Sequence, residues 1–89
     1  MQRNKGVVLM SEKKEILLSN IEAGRRVKLI RVNAGAGLKS RLAVMGILPG
    51  GEFEVMSNGH PGPFVVKAKG TKMVLGRGMA HRVLVEIVG

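Results

Sequence analysis

Few residues of this 89-residue chain have side chains that commonly carry out catalysis or bind metals. There is no cysteine and no aspartate, and the two histidines, His60 and His81, lie well apart in the sequence. A metal site needs three or four converging ligands, and general acid–base catalysis needs a positioned partner group. Glu52 and Glu54 share one strand face, most simply the solvent face. We therefore predict no catalytic residue, no metal ligand and no cofactor, in a protein that is not an enzyme.

A glycine-rich segment at 35–40, GAGLKS, has the context of a phosphate-binding loop, because it follows a predicted strand and opens a predicted helix. Ser40, however, stands at the position of the third glycine of a dinucleotide fingerprint. The residues after the helix also have the pattern of antiparallel hairpins, whereas a dinucleotide site needs a parallel βαβ unit. The pattern favours a loop that uses glycine for its flexibility.

The charge is strongly positive, with 15 Lys and Arg residues against six Glu and a formal net charge of +9. This excess favours an anionic partner, which could be a nucleic acid, an acidic protein surface or an anionic lipid. Readers of single-stranded nucleic acid usually stack bases on aromatic side chains, and here only Phe53 and Phe64 exist, both at inward positions. Binding of single-stranded nucleic acid is the alternative function that stays open. We do not expect the chain to form a stable complex with nucleic acid. The predicted basic surface consists of Lys28, Lys39, Lys67, Lys69 and Lys72.

Hydrophobic periodicity predicts a mainly β fold. The predicted strands are 25–32, 52–55, 64–69, 73–75 and 83–87. The spacing of Leu38, Leu42 and Met45 predicts one short helix over 38–45, inserted after the first long strand and ended by Gly46. About five short strands with glycine corners indicate a small closed barrel, because closure removes exposed strand edges.

The length leaves room for one domain. We predict that residues 1–14 form a frayed lead-in and that 15–89 form the folded domain. The apolar stretch at 6–10 is shorter than the core of a signal peptide, and no run approaches the roughly 18 apolar residues that cross a membrane. We expect a cytoplasmic location.

Three motifs in order resemble the FeoA family, the ferrous iron transport protein A family. Residues 18–24 read LSNIEAG and are followed by VKLI at 27–30, like the opening of the family. Residues 41–50 read RLAVMGILPG, like its signature RL-x-x-[LM]-G-[IL]-x-PG. Residues 74–85 read VLGRGMAHRVLV, like its close. The similarity extends from about residue 17 to residue 88.

The resemblance implies an SH3-like barrel and a role beside the membrane GTPase transporter FeoB in Fe(II) uptake. It implies an accessory protein that binds FeoB through protein–protein contacts and modulates transport, peripheral to the inner face of the membrane. The helix and the turn after it are the expected contact surface. Its predicted members are Arg41, Leu48, Pro49, Gly50 and Arg77.

Overall fold

The computed structural model describes residues 15–59 and 62–89. The predicted lead-in at 1–14 and His60, in the predicted loop, lie outside the described residues. The strands are β1 (Ile16–Leu17), β2 (Arg26–Val32), β3 (Glu52–Asn58), β4 (Phe64–Ala68), β5 (Thr71–Leu75) and β6 (Val83–Val88). The helical segments are a 3-10 turn (Leu18–Asn20), α1 (Ala36–Val44) and α2 (Arg77–Ala80). The mainly β prediction is confirmed, with the five predicted strands joined by the two-residue β1.

The strands form one sheet in the order β1-β6-β2-β3-β4-β5, and every pairing among the described residues is antiparallel. The glycine-rich segment at 35–40 therefore lies outside any parallel βαβ unit of the described sheet. The described strands do not close into a hydrogen-bonded ring, and β1 and β5 are the two edges of the sheet. The predicted closed barrel is therefore not seen. One of the two edges is short, since β1 has only two residues.

The core consists of alternate residues of the sheet together with the helices that cover one face. Phe53 and Val55 of β3 are buried, as are Val83 and Val85 of β6, which confirms the predicted alternation. Helix α1 contributes Leu38 and Leu42 to this core. All the buried residues among those described are apolar, so packing of apolar side chains holds this small domain together.

Helix α1 ends in a Schellman motif at the glycine that the sequence predicts as its stop. Gly46 has φ +81°, and its amide donates to the carbonyl of Ala43 at 2.8 Å. The amide of Ile47 donates to the carbonyl of Leu42, also at 2.8 Å, and both side chains are buried. This pair of hydrogen bonds, with its apolar contact, satisfies helix carbonyls that would otherwise lack donors.

The hairpin between β4 and β5 turns one residue earlier than predicted. The predicted strand over 64–69 includes Lys69 and would place the turn after that residue. Instead Ala68 pairs with Thr71, while Lys69 (φ +52°) and Gly70 (φ +80°) form the two-residue turn. Positive φ at both central residues is the backbone geometry of type I′ turns, which matches the twist of the flanking strands.

Replacing Gly46 tests the helix stop. Gly46→Ala places a side chain at positive φ, which we expect to lower the free energy of unfolding by about 1–2 kcal/mol. The new Cβ would lie 2.9 Å from Lys69 Nζ, but that flexible end can move aside. Gly37→Ala is the matched control, since Gly37 lies within α1 and has open space around its Cβ position. It should raise stability by about 0.5 kcal/mol in urea denaturation. Equal effects of the two changes would contradict this account.

Candidate functional site

A groove of about 540 Å³ lies beside α1, between the helix, strand β2 and the turn after the helix. The residues that line it include Leu29 of β2, Leu42 of α1 and Ile47, which belong to the core and are each 2% exposed. The exposed residues Leu48 and Pro49 line it on the side of the turn. The groove is thus an opening at the border between α1 and the sheet, next to the core.

The turn that lines the groove is fixed to β2 by its backbone. The amide of Gly51 donates to the carbonyl of Leu48 at 2.7 Å, and Gly50 has φ +89°, as a type II turn requires. The amide of Gly50 donates to the carbonyl of Leu29, and the amide of Leu29 donates to the carbonyl of Gly51, at 2.8 and 2.9 Å. Leu48 and Pro49 are therefore presented on a rigid loop, with the Leu48 side chain 56% exposed.

A β-bulge places a cation at the groove. In a regular strand Leu29 and Arg31 would face the same side, because side chains alternate with a period of two. The register of β2 against β6 shifts between these residues, so Leu29 is buried while Arg31 is exposed and lines the groove. Arg31 Nη2 lies 3.1 Å from Glu15 Oε1, and Arg31 Nη1 donates to Glu15 Oε2 at 3.3 Å.

Helix α1 separates the basic residues that the sequence places on it. Lys39 lines the groove, whereas Arg41, about 160° around the helix axis, lies on the opposite flank. Arg41 Nη2 donates to the carbonyl of Val74 at 3.3 Å, and Arg41 Nη1 to Met79 Sδ at 3.5 Å. Arg41 thus links α1 to the edge strand β5 and to α2.

Arg77, the other cation of the predicted contact surface, begins α2 and donates from Nη2 to the carbonyl of Gly59. Gly59 is buried at the end of β3, so this contact joins α2 to the segment that follows the strand. The structure therefore brings Leu48 and Pro49 together at the groove, with Gly50 completing their turn. Arg41 and Arg77 make contacts elsewhere, on the side of β5 and α2.

The predicted basic surface is divided in the same way. Lys28 Nζ lies 3.7 Å from Glu86 Oε1. Lys28 also lies opposite Glu52 of the neighbouring strand β3. Lys67 is placed between Glu54 and Lys72 across the sheet. These lysines share the outer face of the sheet with carboxylates.

Lys39 and Lys69 belong to a different part of the surface. Residues 23–51 and 55–85, which contain α1, the β4–β5 hairpin and α2, include no acidic residue. Lys69 lies at the tip of the hairpin, and its ammonium group reaches the C-terminal end of α1, where a cation complements the helix dipole. No carboxylate from these segments is therefore available to compensate Lys39 and Lys69.

No three His, Asp or Glu side chains converge within 15–59 and 62–89. His81 Nδ1 lies 2.7 Å from Ser19 Oγ, a contact that joins α2 to the 3-10 turn. Glu52 accepts from Arg26 Nε at 3.0 Å, so its carboxylate is part of a surface ion pair. In the part of the chain that the structure describes, no helix is long and apolar enough to cross a membrane.

Comparisons with known proteins agree with this geometry. The FeoA domain family matches residues 16–87. A protein of Methanocaldococcus jannaschii that carries the name Fe(2+) transport protein A is 35% identical over 69 residues, which are 78% of this chain and 83% of that protein. The chain belongs to the FeoA family. It is thus a member of a family of small accessory transport proteins, named for ferrous iron, that is not known as an enzyme family.

Solved FeoA structures share the fold. The solution structure of a FeoA protein from Chlorobium tepidum superposes with a TM-score of 0.74 and 27% identity, covering 83% of this chain and 71% of that one. A crystal structure described as an iron uptake regulatory protein (FeoA) superposes with a TM-score of 0.71 and 24% identity, covering 84% of this chain and 99% of that one. The SH3-like fold implied by the sequence resemblance is confirmed.

Sequence reasoning missed two features of this FeoA-family groove. Leu29 lies in the predicted strand 25–32, but nothing in the alternating pattern of that strand shows that it borders an opening. Arg31 would be placed inward by a regular pattern, and the bulge that turns it outward has no glycine or proline to signal it. The helix and turn were found because Gly46, Pro49 and Gly50 mark positions with special backbone geometry.

The contacts of Arg41 make it a structural residue of this FeoA-family domain. Arg41→Ala leaves the carbonyl of Val74 without its side-chain donor, and we expect the free energy of unfolding to fall by about 1 kcal/mol. Lys39→Ala, on the groove flank of the same helix, is the control and should change stability by less than about 0.5 kcal/mol. Thermal and urea unfolding measure both variants. A larger loss for Lys39→Ala would show that the assignment of the two flanks is wrong.

Proposed function

We propose that this chain is a cytoplasmic accessory protein of Fe(II) uptake that binds and modulates a FeoB-type membrane GTPase transporter. The observation that carries the proposal is the apolar groove beside α1, with Leu48 and Pro49 at its edge, in a member of the FeoA family. An exposed apolar opening onto a small core is a feature of protein-docking sites. The proposal assigns the chain a binding role and no chemical step.

The groove is suited to docking because its walls are already ordered. Backbone hydrogen bonds fix the turn to Leu29, and the Schellman motif fixes the end of α1, so little conformational entropy is lost when a partner binds. A large apolar side chain of the partner would contact Leu48 and the groove floor. Such buried apolar anchors usually carry most of the affinity of an interface.

The location at the inner face of the membrane belongs to the same proposal. A partner with membrane-embedded parts would hold the chain close to anionic lipids, where basic residues are attracted to the surface. The helical side of the sheet, which has no acidic residue in α1, the β4–β5 hairpin or α2, would tolerate that environment.

The positive net charge is the one feature that favours the nucleic-acid alternative, and the described residues do not support it further. Phe53 and Phe64 are 1% and 4% exposed, so neither offers a stacking platform, and the chain has no Trp or Tyr. Lys28 lies beside carboxylates, which weakens a continuous path for phosphates. We therefore do not propose nucleic acid as the partner.

Leu48→Asp tests the proposed docking site. We expect this change to weaken binding to the soluble cytoplasmic domain of FeoB about tenfold, because it removes an apolar contact and introduces a charge that needs solvent. Val74→Asp is the matched control, since Val74 has the same 56% exposure and lies in β5, away from the groove. Both variants change the net charge equally. Calorimetry at about 150 mM salt, with and without guanine nucleotide, measures the affinities.

Equal weakening by the two variants would place the contact outside the groove. Arg41→Glu and Arg77→Glu then define how far the interface extends, since both cations lie beyond the groove. Full binding by these two variants limits the interface to the groove and its turn. Absence of binding by the unaltered chain to the FeoB domain would contradict the proposal in its present form.

A further inference from the structure

The groove already has a carboxylate at its edge, supplied by its own chain. Arg31 binds the Glu15 carboxylate through the two terminal nitrogens of its guanidinium group, Nη2 at 3.1 Å and Nη1 at 3.3 Å. This is the bidentate geometry that suits a carboxylate. We propose that the groove receives an acidic segment of a protein partner with one large apolar side chain, and that Glu15 competes with that segment for Arg31. The inference rests on the proposed function for the use of the groove in docking.

The charge of the groove selects an acidic occupant. Arg31 on β2 and Lys39 on α1 both line it, and no acidic residue occurs from position 23 to position 51. Glu15 is the carboxylate that the structure places on Arg31, and both side chains are partly exposed, at 35% and 57%. An ion pair this exposed is weak and exchanges readily with solvent. A partner carboxylate can therefore replace Glu15 on the guanidinium.

The apolar surface between the cations selects an occupant with a central apolar group. Leu48 and Pro49 give it exposed apolar surface. The core residues that lie at its floor are Leu29, Leu42 and Ile47. Its volume of about 540 Å³ has room for a large side chain. Arg31 and Lys39 belong to different walls, so carboxylates are needed on both sides of the apolar group. A fatty acid has its charge at one end, and a free amino acid leaves the floor uncovered. A peptide segment meets both requirements.

The test uses the full chain and a short fluorescein-labelled peptide in which one leucine is flanked on both sides by glutamates. Glu15→Gln should tighten its binding about threefold, because Arg31 no longer has an internal partner, whereas Arg31→Gln should weaken it about fivefold. Lys39→Gln should weaken binding to a similar extent. Fluorescence anisotropy measures the affinities, and binding should weaken as the salt concentration rises.

The outer face of the sheet provides matched controls for each charge change. Arg26 and Glu52 form an ion pair of similar length, 3.0 Å, and similar exposure. Glu52→Gln and Arg26→Gln therefore alter the net charge and break an equivalent pair without touching the groove. Neither should change the peptide affinity by more than about twofold, because both side chains are exposed and their charges are screened by solvent and salt.

Several results would overturn the inference. Unchanged or weaker binding by Glu15→Gln rules out competition at Arg31. Equal affinity for a peptide with lysines in place of the glutamates, or with glycine in place of the leucine, rules out the stated chemistry. Competition by decanoate as effective as that of the peptide assigns the groove to a small carboxylate.

The soluble FeoB domain separates this inference from the proposed function. Binding of that domain unaffected by changes at Glu15, Arg31 and Lys39 would overturn the inference and leave the proposed function standing. Binding of the acidic peptide with the expected pattern, but none of the FeoB domain, would do the reverse.

Discussion

The way in which the chain leaves α1 determines the rest of the candidate site. Gly46 adopts positive φ, which lets Ile47 turn back onto Leu42, and the next residues form a tight turn whose amide and carbonyl groups pair with Leu29. These backbone hydrogen bonds connect the helix end to the second strand without a long loop. They leave Leu48 and Pro49 outside the core and open the groove between helix and sheet. This geometry fixes the C-terminal end of the helix relative to β2.

Charge is distributed unevenly around this frame, and the distribution follows from the pleat of the sheet. The outer face has charges of both signs, and cross-strand neighbours have opposite charge. Arg26 lies opposite Glu54, and Lys28 lies opposite Glu52. The helical side has cations without acidic residues in its own elements. Arg31 and Lys39 line the groove on this side, and electrostatic attraction would orient an acidic partner toward them.

Much of this fold can be predicted from the sequence because the deciding residues have strong local preferences. Alternation of Phe53 and Val55 with glutamates specifies a strand with one buried face, and Gly46 and Pro49 mark the ends of α1 and of the turn. The turn of the β4–β5 hairpin falls one residue earlier than predicted because Lys69 adopts positive φ, which a lysine rarely does. The bulge before Arg31 could not be predicted, since it depends on how β2 pairs with β6 over a long sequence distance. The helical period predicts that Lys39 and Arg41 lie on opposite flanks of α1. Only the structure shows that Arg41 contacts Val74 and Met79.

The central claim is that partners dock at the groove beside α1, and amide chemical shifts of the isotopically labelled chain test it directly. On titration with the soluble cytoplasmic domain of FeoB, the account predicts that the largest changes occur at Leu29, Arg31, Lys39 and Leu48, with little change at Arg26 and Lys67 on the outer face. Changes concentrated on the outer face, with the groove residues unaffected, would contradict the account.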